Sequence, residues 1–150
     1  MEKIYKNGDK YIGEFKNKLR HGKGILFYNI NNENEREIYK GEWKNGVIEG
    51  KGILYWKGGD CYEGEFKNDK REGKGIYYYN YGEIYEGEWK NGMEEGKGKE
   101  YLKNGERYEG DWKNGNKVGK GIYHHENGEG QKDNNNKRIE EIQKWKQKKK

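Results

Sequence analysis

The chain has 150 residues, of which Leu, Ile, Val and Phe together supply 21, or 14%, well under the ~20% below which a strongly charged chain rarely builds an ordinary globular core. Aromatics nevertheless make up 15%, 25 glycines stand without one proline, and Ser, Thr and Ala are absent, which excludes Ser and Thr nucleophiles. The formal charge of +5 resides wholly in residues 131–150, where eight Lys/Arg face three Asp/Glu, so residues 1–130 carry 24 of each sign.

A neutral body argues against nucleic acid, because a groove that tracks phosphates needs net positive potential. Cys61, the single cysteine, has no partner for an internal disulfide, and the start Met1-Glu2-Lys3-Ile4 lacks the apolar core of a signal peptide. No apolar run approaches the ~20 residues that span a bilayer. The expectation is a reducing, cytoplasmic setting.

In chain order, residues 1–10 read as half a unit that caps an array. Five units fill residues 11–130, each opening with Tyr-x-Gly-Glu/Asp-Trp/Phe-Lys-Asn at Tyr11, Tyr39, Tyr62, Tyr85 and Tyr108. The spacings are 28, 23, 23 and 23, and Gly-Lys-Gly follows each Tyr by eleven residues. A fixed period of this length is the mark of a repeat architecture. Counting offsets from the Tyr, glycine recurs at offsets 2, 11, 13 and 20.

These residues resemble the MORN repeat family (membrane occupation and recognition nexus), whose unit reads roughly Tyr-Glu-Gly-Glu-Trp, Gly-x-Gly, then an aromatic or aliphatic strand and a glycine turn. Departures are local: Lys18 and Asp69 replace Gly at offset 7, Lys99 and Glu100 replace apolar residues, and His124 and His125 replace aromatics. Gln131 stands where a sixth Tyr would fall, which ends the array.

Each unit reads as two strands, offsets 0–5 and 12–17, joined by Asn-Gly or Asn-Asp turn chemistry. The fold class expected is all-β: an elongated, single-layer antiparallel meander of such hairpins. Period-2 alternation puts Tyr62, Gly64 and Phe66 on one face, and pairing offset 4 with 13 would set Phe66 opposite Gly75, Gly64 opposite Tyr77 and Tyr62 opposite Tyr79. The other face carries Glu14, Glu42, Glu65, Glu88 and Asp111 with lysines as solvated charge ladders, together with Ile25, Ile53, Ile76 and Ile122. The five-residue insertion, within Asn29–Ile38, reads as an exposed loop. Residues 131–150 form a polar linker and a basic tail in which Ile139, Ile142 and Trp145 recur every three residues, as in a short amphipathic helix.

Catalytic chemistry finds no footing. His21 reads as a solvated turn residue, His124 and His125 as end-of-array substitutions without a metal-ligand set, and Cys61 as an apolar filler where Ile38 and Ile84 stand. One carboxylate per repeat on an open face lacks the asymmetry of an acid/base pair. Gly-Lys-Gly has neither the Ser/Thr nor the helix of a phosphate loop. No enzyme, cofactor or metal is expected.

Surface remains. A sheet without a second layer leaves Tyr39, Trp43, Tyr62, Phe66, Tyr85, Trp89, Tyr108 and Trp112 as an apolar groove, and patches of that extent mark binding, with an extended or helical segment of a partner protein as guest. The resemblance implies a scaffold in cilia, axonemes or the membrane-associated cytoskeleton. Tail residues Ile139, Ile142, Trp145, Lys146 and Lys148 are candidate contacts, to a partner or, as the alternative, to an anionic membrane through clustered lysines.

Overall fold

The computed structural model describes residues 1–125 and, beyond them, helical residues 137–141, 143–145 and 147–148. Eleven strands lie in sequence order in one antiparallel sheet. They are β1 (Glu2–Ile4), β2 (Lys10–Lys16), β3 (Leu19–Phe27), β4 (Arg36–Lys44), β5 (Val47–Trp56) and β6 (Cys61–Lys67), then β7 (Lys70–Tyr78), β8 (Ile84–Lys90), β9 (Met93–Tyr101), β10 (Arg107–Lys113) and β11 (Asn116–His124). The helical residues are termed α1.

Every repeat turns on two residues of positive φ, for example Asn45 at 50° and Gly46 at 88°, or Asn91 at 51° and Gly92 at 82°. This mirror-image turn matches the twist of antiparallel strands. It closes tightly, and that corrects the expected register. The ladder begins at Lys67 and Lys70 and goes on to pair Phe66 with Arg71, Gly64 with Gly75 and Tyr62 with Tyr77. The second strand therefore starts earlier than its sequence offset suggested. Between the Gly64 and Phe66 pairs a bulge leaves Glu65 facing residues 72–74.

Glutamate at offset 3 seals that bulge. The Glu65 carboxylate accepts the Lys74 backbone N–H at 2.6 Å, and Glu14, Glu42 and Glu88 accept from Lys23, Lys51 and Lys97 at 2.5, 2.5 and 2.6 Å. Gly73, at φ 81°, leaves the room: a Cβ there would come 2.5 Å from Glu65 Oε2. The acids expected as a solvated ladder are backbone ligands instead. Of the offset-3 acids, only Asp111 makes a salt bridge among the described residues, with Lys97 at 2.7 Å.

Aromatic side chains hold the repeats together. Tyr11, Tyr39, Tyr62 and Tyr85 each donate a hydroxyl hydrogen bond to the carbonyl three residues on, at 2.8–3.0 Å, which lays the ring across the paired glycines. Edge-to-face contacts then run without a break as Phe15–Tyr11–Trp43–Tyr39–Phe66–Tyr62–Trp89–Tyr85–Trp112–Tyr108. Such pairs contribute about 0.5–1.5 kcal/mol each beyond their burial. Trp43 and Trp89 also donate their indole N–H to the carbonyls of Gly24 and Gly75.

Turns are stapled across repeats as well. The N–H groups of Asn68, Asn91 and Asn114 donate to Glu49, Glu72 and Glu95 of the preceding unit at 2.9–3.1 Å. His21 takes the same place, its Nδ1 accepting from Asn45 at 3.3 Å, so it is a staple and not merely a solvated turn residue. The inserted loop is organised by Asn32, which donates to the carbonyls of Asn29 and Arg36 and accepts the Arg36 N–H.

Candidate functional site

The structure brings Tyr39, Trp43, Tyr62, Phe66, Tyr85, Trp89, Tyr108 and Trp112 into one row, but buries them to 0–6% exposure. The open aromatic groove expected from the sequence is not there. The rings are covered by their neighbours, and two offset-9 arginines lie over the tryptophan of the next repeat: the Arg20 guanidinium is 4.6 Å from the Trp43 centroid and that of Arg71 4.8 Å from Trp89. Ile48 holds offset 9 in the second unit, is 1% exposed and belongs to the same core cluster as Phe66. Tyr28, Trp56, Tyr77 and Tyr79 pack beside the row. These rings are core.

An open groove of about 1440 Å³ lies on the opposite face. Its floor is the row built by offsets 1 and 14, where cross-strand pairs run Ile12–Ile25, Ile25–Lys40, Lys40–Ile53, Ile53–Glu63, Glu63–Ile76 and Ile76–Glu86. Glutamates and lysines of offsets 3 and 12 form one wall. On the other side a second core cluster gathers Ile38, Tyr55, Cys61, Tyr78 and Ile84. Cys61 is 4% exposed between its neighbours, the apolar filler its position suggested.

Helix α1 lies against that cluster. Ile139 and Trp145 pack on it, the Trp145 ring stacks on Tyr55 with centroids 5.4 Å apart and planes 14° apart, and Lys40 Nζ sits 4.7 Å above the indole. Arg138 Nε donates to Glu63 Oε2 at 2.9 Å. Burial alone would weaken the Arg138 charge, but the Glu63 carboxylate, helped by Glu141, shifts its pKa upward instead. Lys137, Glu140, Glu141, Lys144 and Lys148 point to solvent. Of the expected tail contacts, Ile139 and Trp145 meet the sheet, Lys148 is exposed, and Ile142 and Lys146 lie outside the described residues.

At the far end, His124 Nε2 lies 2.9 Å from Glu109 Oε2 and Lys99 Nζ lies 3.2 Å from Oε1. These contacts hold the Glu109 carboxyl below the ordinary carboxylate value. Among the described residues no three His, Cys, Asp or Glu gather closely enough to hold a metal ion, and no helix is long and apolar enough to cross a membrane.

The MORN repeat family model matches residues 11–32, 39–61, 62–82, 85–107 and 108–130. The chain belongs to the MORN repeat family. Four of the five matched segments begin at the repeat tyrosines of the uninterrupted register and the fifth at Tyr11, with the insertion falling largely between the first two. A search of curated proteins returned no match. MORN arrays are in general interaction modules for proteins or membranes and are generally not catalytic.

Several residues of the MORN face were not singled out from the sequence: Lys40, Tyr55, Glu63, Tyr78 and Arg138. A signal existed for some of them. Offset 16 carries Phe27, Tyr55, Tyr78 and Tyr101 in four units, a second aromatic row on the supposedly polar face. Arg138, one residue before Ile139, had none, because its partner Glu63 lies 75 residues away.

Proposed function

We propose that this MORN array is a non-catalytic scaffold or adaptor that holds segments of partner proteins along its isoleucine face. The observation that carries this is the groove along the Ile25–Ile53–Ile76 row: a floor where isoleucines alternate with Lys40, Glu63 and Glu86, and charge of both signs on its wall. Such a groove takes an extended or helical segment by burying a few side chains and pairing its charges. Balanced Glu and Lys do not suit a nucleic-acid backbone. A ciliary, axonemal or membrane-associated cytoskeletal assembly, on the cytoplasmic side, is the setting we assign by family resemblance.

A second reading, contact with an anionic membrane, is favoured by the outward lysines Lys144 and Lys148. Trp145, the other natural membrane anchor, is engaged with Tyr55, so among its described residues the tail offers charge without an apolar wedge. The deciding experiment compares proteins retained by the wild type and by an Ile53→Lys/Ile76→Lys variant whose β-sheet spectrum is intact. Partners lost from the variant support docking on this face. An unchanged set rejects it. Sedimentation with phosphatidylserine vesicles, using Lys144→Glu/Lys148→Glu, tests the membrane reading separately.

A further inference from the structure

We infer that the isoleucine face is a receptor for basic amphipathic helices, with the chain's own C-terminal helix as its resident and displaceable occupant. This rests on the reading of that face as the docking surface and adds the chemistry of the guest. Three contacts define the recognition: an indole stacked on Tyr55 under the Lys40 ammonium, an aliphatic side chain among the isoleucines and tyrosines, and a guanidinium on Glu63. Arg138, Ile139 and Trp145 supply them from a single helix face, since positions 138 and 145 are seven residues, or two turns, apart. The Glu63 carboxylate suits a basic anchor. Beyond Glu63 the same row continues through Ile76, Glu86 and Lys99 to Glu109, with Lys99 already paired to Glu109 at 3.2 Å, so Glu63 is the acid that meets the helix, while Lys137, Lys144 and Lys148 point outward to solvent.

The contact is built to exchange. Arg138, Ile139 and Trp145 are only half-buried, and a helix this short is marginal when alone in water. Tethering raises its local concentration to the millimolar range, so a weak contact is populated within one chain and yields to a partner helix with more anchors. Nothing in the aromatic core depends on the helix, because the ring chain runs from Phe15 to Tyr108 on the other face. Displacement therefore opens the groove without loosening the array.

The test uses the full chain and a fluorescently labelled peptide of residues 131–150. Trp145→Ala should undock the resident helix and raise the affinity of the chain for the peptide by about tenfold or more over the wild type, as expected for a central aromatic anchor. Arg138→Glu is a second opened variant. Peptide bearing Trp145→Ala should not bind. A charge exchange gives the specificity control: the chain with Glu63→Arg and Trp145→Ala should prefer peptide bearing Arg138→Glu over the native peptide. Equal peptide affinity for wild type and both opened variants, or no binding to either opened variant, overturns the inference. The scaffold reading would still be decided by the Ile53→Lys/Ile76→Lys comparison.

Discussion

The phenol of Tyr62 fills the space that a side chain on Gly75 would need: a Cβ there would lie 2.1 Å from the hydroxyl oxygen. The same overlap recurs between Tyr11 and Gly24 and between Tyr39 and Gly52. The ring cannot retreat, because its hydroxyl is bonded to the Glu65 carbonyl at 2.8 Å and its edge meets Phe66 and Trp89. Gly75→Ala should thus cost about 2–3 kcal/mol by overpacking. Gly58 has open space where a Cβ would stand, with nothing within 4 Å, and no positive φ. It should accept Ala without loss or gain about 0.4–1 kcal/mol through the unfolded chain. Urea midpoints check both, and hydrogen exchange should show the Gly75→Ala damage confined to neighbouring hairpins, as in an array stabilised by nearest neighbours. Equal effects from the two substitutions would contradict the packing account.

Glu65 separates two pictures of the acidic row by magnitude. As a carboxylate bonded to the Lys74 N–H, its loss in Glu65→Ala should cost about 1.5–3 kcal/mol, while Glu65→Gln, which keeps an acceptor oxygen, should cost less. A member of an exposed charge ladder would be worth about 0.2–1 kcal/mol, and that contribution would fade in salt. Denaturation of both variants at low salt and at about 0.5 M salt distinguishes them. A penalty that vanishes with salt returns the row to the ladder picture.

The array, its turns and its meander were legible because a repeat prints the same chemistry five times. Asn-Gly at offsets 6 and 7 marked the hairpins and alternation marked the faces. Register was not legible. A two-residue turn and a bulge of unequal strand lengths shift the pairing by two residues, so Gly64 meets Gly75 and not Tyr77, and only the glutamate-to-backbone bond reveals why the mismatch is stable. The groove lies on the face opposite the expected one for a related reason: a single sheet implies bare rings, whereas Arg20 and Arg71 reach over from the preceding repeat. Periodicity showed α1, but its seat on Tyr55 and Glu63 is a long-range relationship that no local pattern encodes.

Lys18 and Asp69 occupy the same turn position at φ 66° and 68° but should respond oppositely to glycine. Left-handed geometry costs an L-residue about 1–2 kcal/mol, and no hydrogen bond or ion pair of the Lys18 side chain offsets it among the described residues, so Lys18→Gly should raise the thermal midpoint. Asp69 Oδ1 accepts the Ile48 N–H at 2.8 Å, and its N–H donates to the Ile48 carbonyl at 3.0 Å. Asp69→Gly relieves the backbone but removes the side-chain bond to Ile48, leaving that amide to find water beside a core residue that is 1% exposed. It should lower the midpoint. A gain in both variants would show that the Asp69–Ile48 bond contributes little.

Glu94 gives the array a pH dependence of defined sign. It lies at offset 9, where the first and third repeats have Arg20 and Arg71, and burial raises its carboxyl pKa above the ordinary 4.5 even though the Arg71 charge pulls it down. The fold thus favours the protonated form. The stability this group contributes is complete below its unfolded pKa and is lost as pH rises through the elevated folded value. Glu94→Gln, which mimics the neutral acid, should be more stable than the wild type at about pH 7, and the difference should disappear by about pH 3. Thermal midpoints at the two pH values read this directly. A Glu94→Gln chain less stable than wild type at neutral pH would mean that the carboxylate serves chiefly as counter-charge to the half-buried Arg71, so that its attraction outweighs its desolvation.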